Sequence, residues 1–206
     1  GDTSKDSSDF TIQQQAELLD GFLEEMGIGR IALIAHGLGA LVAMQFTLTH
    51  MDLVDRMMLI SYPMTQNSVD ARLRNDSPAL LAETLLTHSP TNDPVLIEAA
   101  RTSPQALSGS FENMPVNQLW EGWENLKIPC LLVNGQNDPL IPIPSVEEIQ
   151  KLPENYHGIL FEESGHFPML EETNKFNRLM ADFLALKSGE SPRALQLKEE
   201  WIRRFR

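Results

Sequence analysis

Four short apolar runs without a charged residue set the frame for this chain. They are Ile31-Ala32-Leu33-Ile34-Ala35, Met57-Met58-Leu59-Ile60, Cys130-Leu131-Leu132-Val133 and residues 157–161, His-Gly-Ile-Leu-Phe. Each is continuous rather than alternating and too short for an ordinary helix, as expected of strands covered on both faces. Helical stretches stand between them. Residues 10–26 place Ile12, Ala16, Leu19, Leu23 and Met26 at helical spacing before Gly27 and Gly29 stop the run. Residues 40–50 have the composition of a buried helix. Ser145 with Glu148 three positions on is a capping box that opens a helix to Leu152. A long helix is expected over residues 168–186. Buried strands alternating with helices predict an α/β fold, with a mainly parallel sheet and helices on both faces.

A chain of 206 residues suits one domain with an inserted subdomain and buries enough surface to need no metal or disulfide. Sixteen basic residues against 29 acidic ones leave a net charge of −13, which argues against nucleic acid or an anionic membrane as a partner. The longest uncharged apolar stretch, residues 31–44, has 14 residues, too few to span a bilayer. No basic-then-apolar leader is visible, and the single cysteine, Cys130, fits a reducing, cytoplasmic setting.

Residues 64–126 differ from what surrounds them. Pro78, Pro90, Pro94, Pro104 and Pro115 fall between short helical pieces such as 78–86 and 94–101. The chain therefore divides into a first part of the core (1–63), a helical insertion over the carboxyl ends of the strands (64–126), a second part of the core (127–186) and a tail (187–206). In the tail, Ser191 and Pro192 suit the start of a new helix, with Ala194, Leu197, Trp201 and Phe205 on one face. This basic, amphipathic segment is expected to dock its aromatic face on the domain.

Three motifs in order carry a resemblance. Ile34-Ala35-His36-Gly37-Leu38-Gly39-Ala40 runs from strand through a small-residue turn into helix, and resembles the nucleophile elbow of the α/β-hydrolase family, usually G-x-S-x-G. Asn134-Gly135-Gln136-Asn137-Asp138-Pro139 resembles the family's acid loop. Ser164-Gly165-His166-Phe167-Pro168, followed by Glu171, resembles its histidine loop. The resemblance covers about residues 1–186 and implies an α/β-hydrolase fold with residues 64–126 as its cap. It also implies an ancestry in cleaving ester, amide or carbon–carbon bonds of small apolar substrates, with no cofactor. Asp138 and His166 take the acid and base positions, and the Leu38 amide takes one oxyanion position.

Two departures bear on function. Gly37 stands where the family has its nucleophile, and glycine has no oxygen with which to form an acyl-enzyme. The elbow strains its central residue, so a serine there would cost about 1–3 kcal/mol that Gly37 avoids. The second departure is at the front, where Gly1-Asp2-Thr3-Ser4 resembles the loop after the family's fourth strand. The family's first strands, and the loop that donates one of its two oxyanion amides, are then absent, and one edge of the strand at Ile31 to Ala35 lacks a partner. An open apolar edge invites pairing, so another segment or a second chain is expected to cover it.

The other candidates are structural in expectation. His36 packs beside the elbow. His50, His88 and His157 have no metal-like spacing. Cys130 is an inert core thiol. Met64, Met114, Leu119, Trp120 and Trp123 could line an apolar pocket under the insertion, although core packing explains them equally well. Three readings stay open: a non-hydrolytic family member that binds a small acyl-type ligand or serves as a scaffold, a hydrolase whose serine was replaced by design, and a nucleophile-free enzyme using His166 and Asp138 on water or an acidic C–H.

Overall fold

The computed structural model describes residues 10–86, 89–111, 114 and 116–197. Four strands, β1 (Ile31–His36), β2 (Val54–Ile60), β3 (Cys130–Gly135) and β4 (Tyr156–Phe161), pair in parallel and in chain order. Register runs from Ala35↔Leu59 through Leu59↔Leu132 to Leu132↔Gly158. Helix α1 (Ile12–Glu25) precedes the sheet, and α2 (Leu38–Thr49) joins β1 to β2. Between β2 and β3 run α3 (Arg72–Asn75), α4 (Pro78–Leu85), α5 (Asp93–Arg101), α6 (Pro104–Phe111) and α7 (Val116–Glu121). The short helix α8 (Val146–Gln150) joins β3 to β4 and starts at the capping box. There Ser145 Oγ accepts from the Glu148 amide at 3.2 Å, and the Glu148 carboxylate accepts from the Ser145 amide at 2.7 Å.

Side chains alternate across a pleated sheet, and here the alternation separates two cores. Met57, Leu59, Cys130, Leu132 and Tyr156 face α1, α2 and the inserted helices. Met58, Ile60, Leu131, Val133, Ile159 and Phe161 face the last helix, through Phe176, Leu179 and Phe183. Helices thus cover both faces of β2, β3 and β4.

Strand β1 departs from that pattern. Ile31, Leu33 and Ala35 pack on the first core, but Ala32 and Ile34 are exposed, Ile34 by 38%. The expectation of burial on both faces fails here, because the second core contains no β1 residue. Among the described residues no strand pairs with the outer edge of β1.

The helix expected over 168–186 is two helices, α9 (Pro168–Glu171) and α10 (Thr173–Leu184), parted at Glu172 with φ −122° and ψ 51°. Consecutive side chains on an unbroken helix diverge by about 100°. The break lets two neighbouring carboxylates serve one loop. Glu171 accepts from the Gly165 and Phe167 amides, while Glu172 accepts from Ser164 Oγ at 2.6 Å. In the tail, residues 192–197 form a 3₁₀ turn in which Leu195, rather than Ala194, is buried in the second core (1% exposed). Trp201 and Phe205 lie outside the described residues, as do Gly1 to Ser4, His88 and Pro115.

Candidate active site

Each of the four strands delivers one residue to the same place at its carboxyl end. Gly37 follows β1, Ser61 follows β2, Asp138 follows β3 and His166 follows β4. Ladder hydrogen bonds carry the register past the strands: Gly37 N–H to Ile60 O and Ser61 N–H to Val133 O, both 2.9 Å. Open parallel sheets place their ligand crevices at this edge.

Gly37 has φ 54° and ψ −120° and forms the N-cap of α2. Left-handed backbone of this kind is free only to glycine. An ideal Cβ at Gly37 would meet one side-chain atom, His166 Nε2, at 3.7 Å. The amide of Leu38, first in α2, has no acceptor within its helix and sits at the positive end of the helix dipole.

Behind His166 lies Asp138. Its Oδ2 is 2.8 Å from His166 Nδ1, with the carboxylate 1% and the imidazole 8% exposed. Oδ1 accepts from the Leu140 and Ile141 amides at 2.9 and 3.0 Å. Burial favours the neutral acid, but the bonds from His166 and the two amides outweigh it and hold the carboxyl below its usual range. An ionised Asp138 accepts a hydrogen bond from Nδ1–H, which leaves Nε2 of the neutral ring without a proton and directed at position 37. Such an imidazole can accept a proton from whatever stands there.

The histidine loop is fastened on every side. Glu171 holds the amides before and after His166, at 2.6 and 3.0 Å. The His166 carbonyl accepts from His36 Nε2 at 2.7 Å and Ser61 Oγ at 3.1 Å. His36 is therefore more than packing, and Ser61 escaped the sequence reading altogether. The sole signal for Ser61 was its place directly after a strand beside the elbow.

Burial, and then the neighbouring His166, lower the His36 pKa from 6.5 to about 4. The unfolded chain takes up this proton near pH 6.5, while the folded protein resists it until about pH 4. Stability should therefore fall as pH drops through that window, by about 3 kcal/mol in all. The stabilisation from Asp138, whose pKa is depressed, is present at higher pH and goes last, below its ordinary value of 3.8. Denaturant melts at pH 7, 5 and 4 should show this slope, flattened in His36→Gln. An equal slope in the variant would refute the assignment.

A cavity of about 290 Å³ opens onto the site. His36, Gly37, Ser61 and His166 form its polar end, and Leu38, Leu41, Val69, Leu73, Leu107, Phe111 and Ile141 are among its apolar walls. Among the described residues no Asp, Glu, Lys or Arg lines it. Met64, Met114, Leu119, Trp120 and Trp123, the other candidates for this wall, do not line this cavity but pack in the first core. Trp123 packs against Tyr62 and Tyr156, with ring centroids 5.4 and 4.7 Å apart, on the sheet side of the insertion.

The remaining candidates lie elsewhere. His50 stacks on Phe46 and faces Asp20 at 3.4 Å. His157 is buried in β4, and burial in β3 pushes the Cys130 thiol up. Among the described residues no cluster of His, Cys, Asp and Glu is arranged to hold a metal, and no helix is long and apolar enough to cross a membrane.

Elbow, acid loop and histidine loop, in this order along a parallel sheet, are the layout of the α/β-hydrolase fold. Comparison with known proteins gives the same answer. The sequence model of the Alpha/beta hydrolase family matches residues 1–179, and the chain belongs to that family. A pimeloyl-[acyl-carrier protein] methyl ester esterase from Legionella pneumophila is 27% identical over 82 residues, which are 40% of this chain and 34% of that protein. The match thus spans about a third of the length of that curated relative. A 2-hydroxy-6-oxononadienedioate/2-hydroxy-6-oxononatrienedioate hydrolase from Pseudomonas sp is 22% identical, covering 82% of this chain and 68% of the relative. The solved structure of an esterase from Exiguobacterium antarcticum superposes with a TM-score of 0.77 at 18% identity, covering 90% of this chain and 78% of the other.

Proposed function

We propose that this chain binds small, uncharged acyl compounds at a hydrolase-type site that forms no acyl-enzyme. The observation that carries this reading is the distance of 3.7 Å from an ideal Cβ at Gly37 to His166 Nε2. A hydroxyl on that Cβ would stand within hydrogen-bond reach of the base, and glycine supplies none. In this reading Asp138 orients the imidazole, His166 is the base, the Leu38 amide faces a developing oxyanion, and residues 64–126 cap an apolar pocket. The lining, uncharged among the described residues, favours a neutral acyl group of modest size, and the relative named as a methyl ester esterase favours ester chemistry. The one thiol, buried in β3, is in keeping with a cytoplasmic setting.

A second reading rests on the bond between Asp138 and His166 at 2.8 Å. A base so oriented can activate a water in place of the hydroxyl, giving slow hydrolysis without a covalent intermediate. Titration with a short-chain aryl ester separates the two. Saturable shifts of pocket resonances without release of the phenol support binding alone. Phenol release abolished by His166→Ala supports the water reading, and neither binding nor release refutes both.

We also infer that a further strand, from elsewhere in the natural protein or from a second chain, pairs with the outer edge of β1. The position of β1 at the end of the strand order, with no partner on its outer edge among the described residues, supports this. Sedimentation and amide exchange of residues 1–206 test it. Self-association with protected β1 amides is expected. A stable monomer that exchanges freely along that edge would overturn it.

A further inference from the structure

The His166 carbonyl has two donors, and both come from the ends of adjacent strands. His36 closes β1 and lies in register with Ile60, and Ser61 is the next residue after Ile60. Their contacts of 2.7 and 3.1 Å converge on one oxygen. Neither donor touches Asp138, and neither takes up the Nε2 that faces position 37.

Ser61 is held in an unusual way. Its φ of 49° is the one positive value at a non-glycine position among the described residues, and the side chain is wholly buried. A non-glycine residue rarely occupies this region, and such outliers cluster at functional sites. On the neighbouring strand end a positive φ is taken by glycine, at Gly37 with φ 54°. A glycine at 61 would relieve the backbone and lose the hydroxyl that reaches the His166 carbonyl.

His36 acts from the other side. Its ring meets the His166 ring edge to face at 4.6 Å and lies 4.9 Å from the Phe167 ring. Donation from Nε2 fixes its tautomer and leaves Nδ1 without a proton.

We propose that His36 and Ser61 are positioning residues, which fix His166 through its main-chain carbonyl so that Nε2 stays aimed at position 37. Holding the backbone rather than the ring matters chemically, because the imidazole keeps both nitrogens for their own work. Nδ1 stays on Asp138, and Nε2 stays available to take and return a proton. The inference rests on the reading of His166 as the base of the site.

The test uses the full chain with Ser61→Gly, Ser61→Ala, His36→Ala and His36→Gln. The first readout is the downfield proton resonance of His166 Nδ1–H, which needs no substrate. Ser61→Gly should keep or raise Tm, because the strain is gone, and yet speed solvent exchange of that proton about tenfold or more. Ser61→Ala and His36→Ala should also speed it, and His36→Gln, whose carboxamide can still donate, should restore part of the protection. The second readout is the same set in a Gly37→Ser background, where kcat should fall about tenfold or more at unchanged KM. If that background is inactive, the proposed function has failed while the proton resonance still decides the positioning role. Exchange left unchanged in Ser61→Gly, or exchange that merely follows Tm across the set, would overturn the inference.

Discussion

Gly37→Ser is expected to raise ester hydrolysis by about 10³-fold or more over the unaltered chain, because it adds the nucleophile that Gly37 does not supply. The room is there. Among the described residues a Cβ at this position meets only His166 Nε2, at an ordinary 3.7 Å. The cost falls on the backbone. At φ 54° a side chain is strained, so the variant should lose about 1–3 kcal/mol of stability. A hydrogen bond from the new hydroxyl to Nε2 offsets about 1 kcal/mol of that. Gly37→Ala separates the two effects, since it should be destabilised in the same way and hydrolyse nothing. Ester turnover followed beside thermal melts of the three proteins checks both halves. Equal turnover in the alanine and serine variants would contradict the account.

The second large effect is expected at Gly135, where the acid loop and the histidine loop touch. A Cβ there would run into the Gly165 carbonyl and come within 2.6 Å of Ser164 O, both of them backbone. No flexible side chain can yield, so Gly135→Ala must push the two loops apart. We expect a loss of about 3 kcal/mol, lowering Tm by roughly 6–12 °C. The same shift carries His166 away from Asp138, so the protected Nδ1 proton should disappear from the folded variant as well. Gly21→Ala is the control: its Cβ meets nothing within 4 Å among the described residues, in the middle of α1, and it should stabilise by up to about 1 kcal/mol. A Gly135→Ala protein that melts like the unaltered chain would show that the loops do not meet there.

Local signals carried much of the sequence reading. The four apolar runs became the four strands, because burial on a parallel sheet leaves an unbroken apolar stretch in the chain. The capping box at Ser145 and the loops holding Gly37, Asp138 and His166 were visible for the same reason, since turn and cap chemistry depends on near neighbours. Tertiary effects were not legible. Glu172 sits in a stretch with neither glycine nor proline, and it is Ser164, from another loop, whose bond accompanies the break. Apolar residues at helical spacing say that a face is buried but not against what, so Trp123 could be read as pocket wall when it packs on Tyr62 and Tyr156. The bare outer face of β1 and the convergence of Ser61 and His36 on one carbonyl depend on neighbours that no run of residues announces.

The most direct test of the central claim is intact-protein mass spectrometry after treatment with a fluorophosphonate. The unaltered chain should remain unlabelled, and Gly37→Ser should gain one adduct, at position 37, that is lost when His166→Ala is added. Labelling of the unaltered chain, or a folded Gly37→Ser protein that takes no label, would contradict a site in which Asp138 and His166 stand ready to activate a nucleophile at position 37.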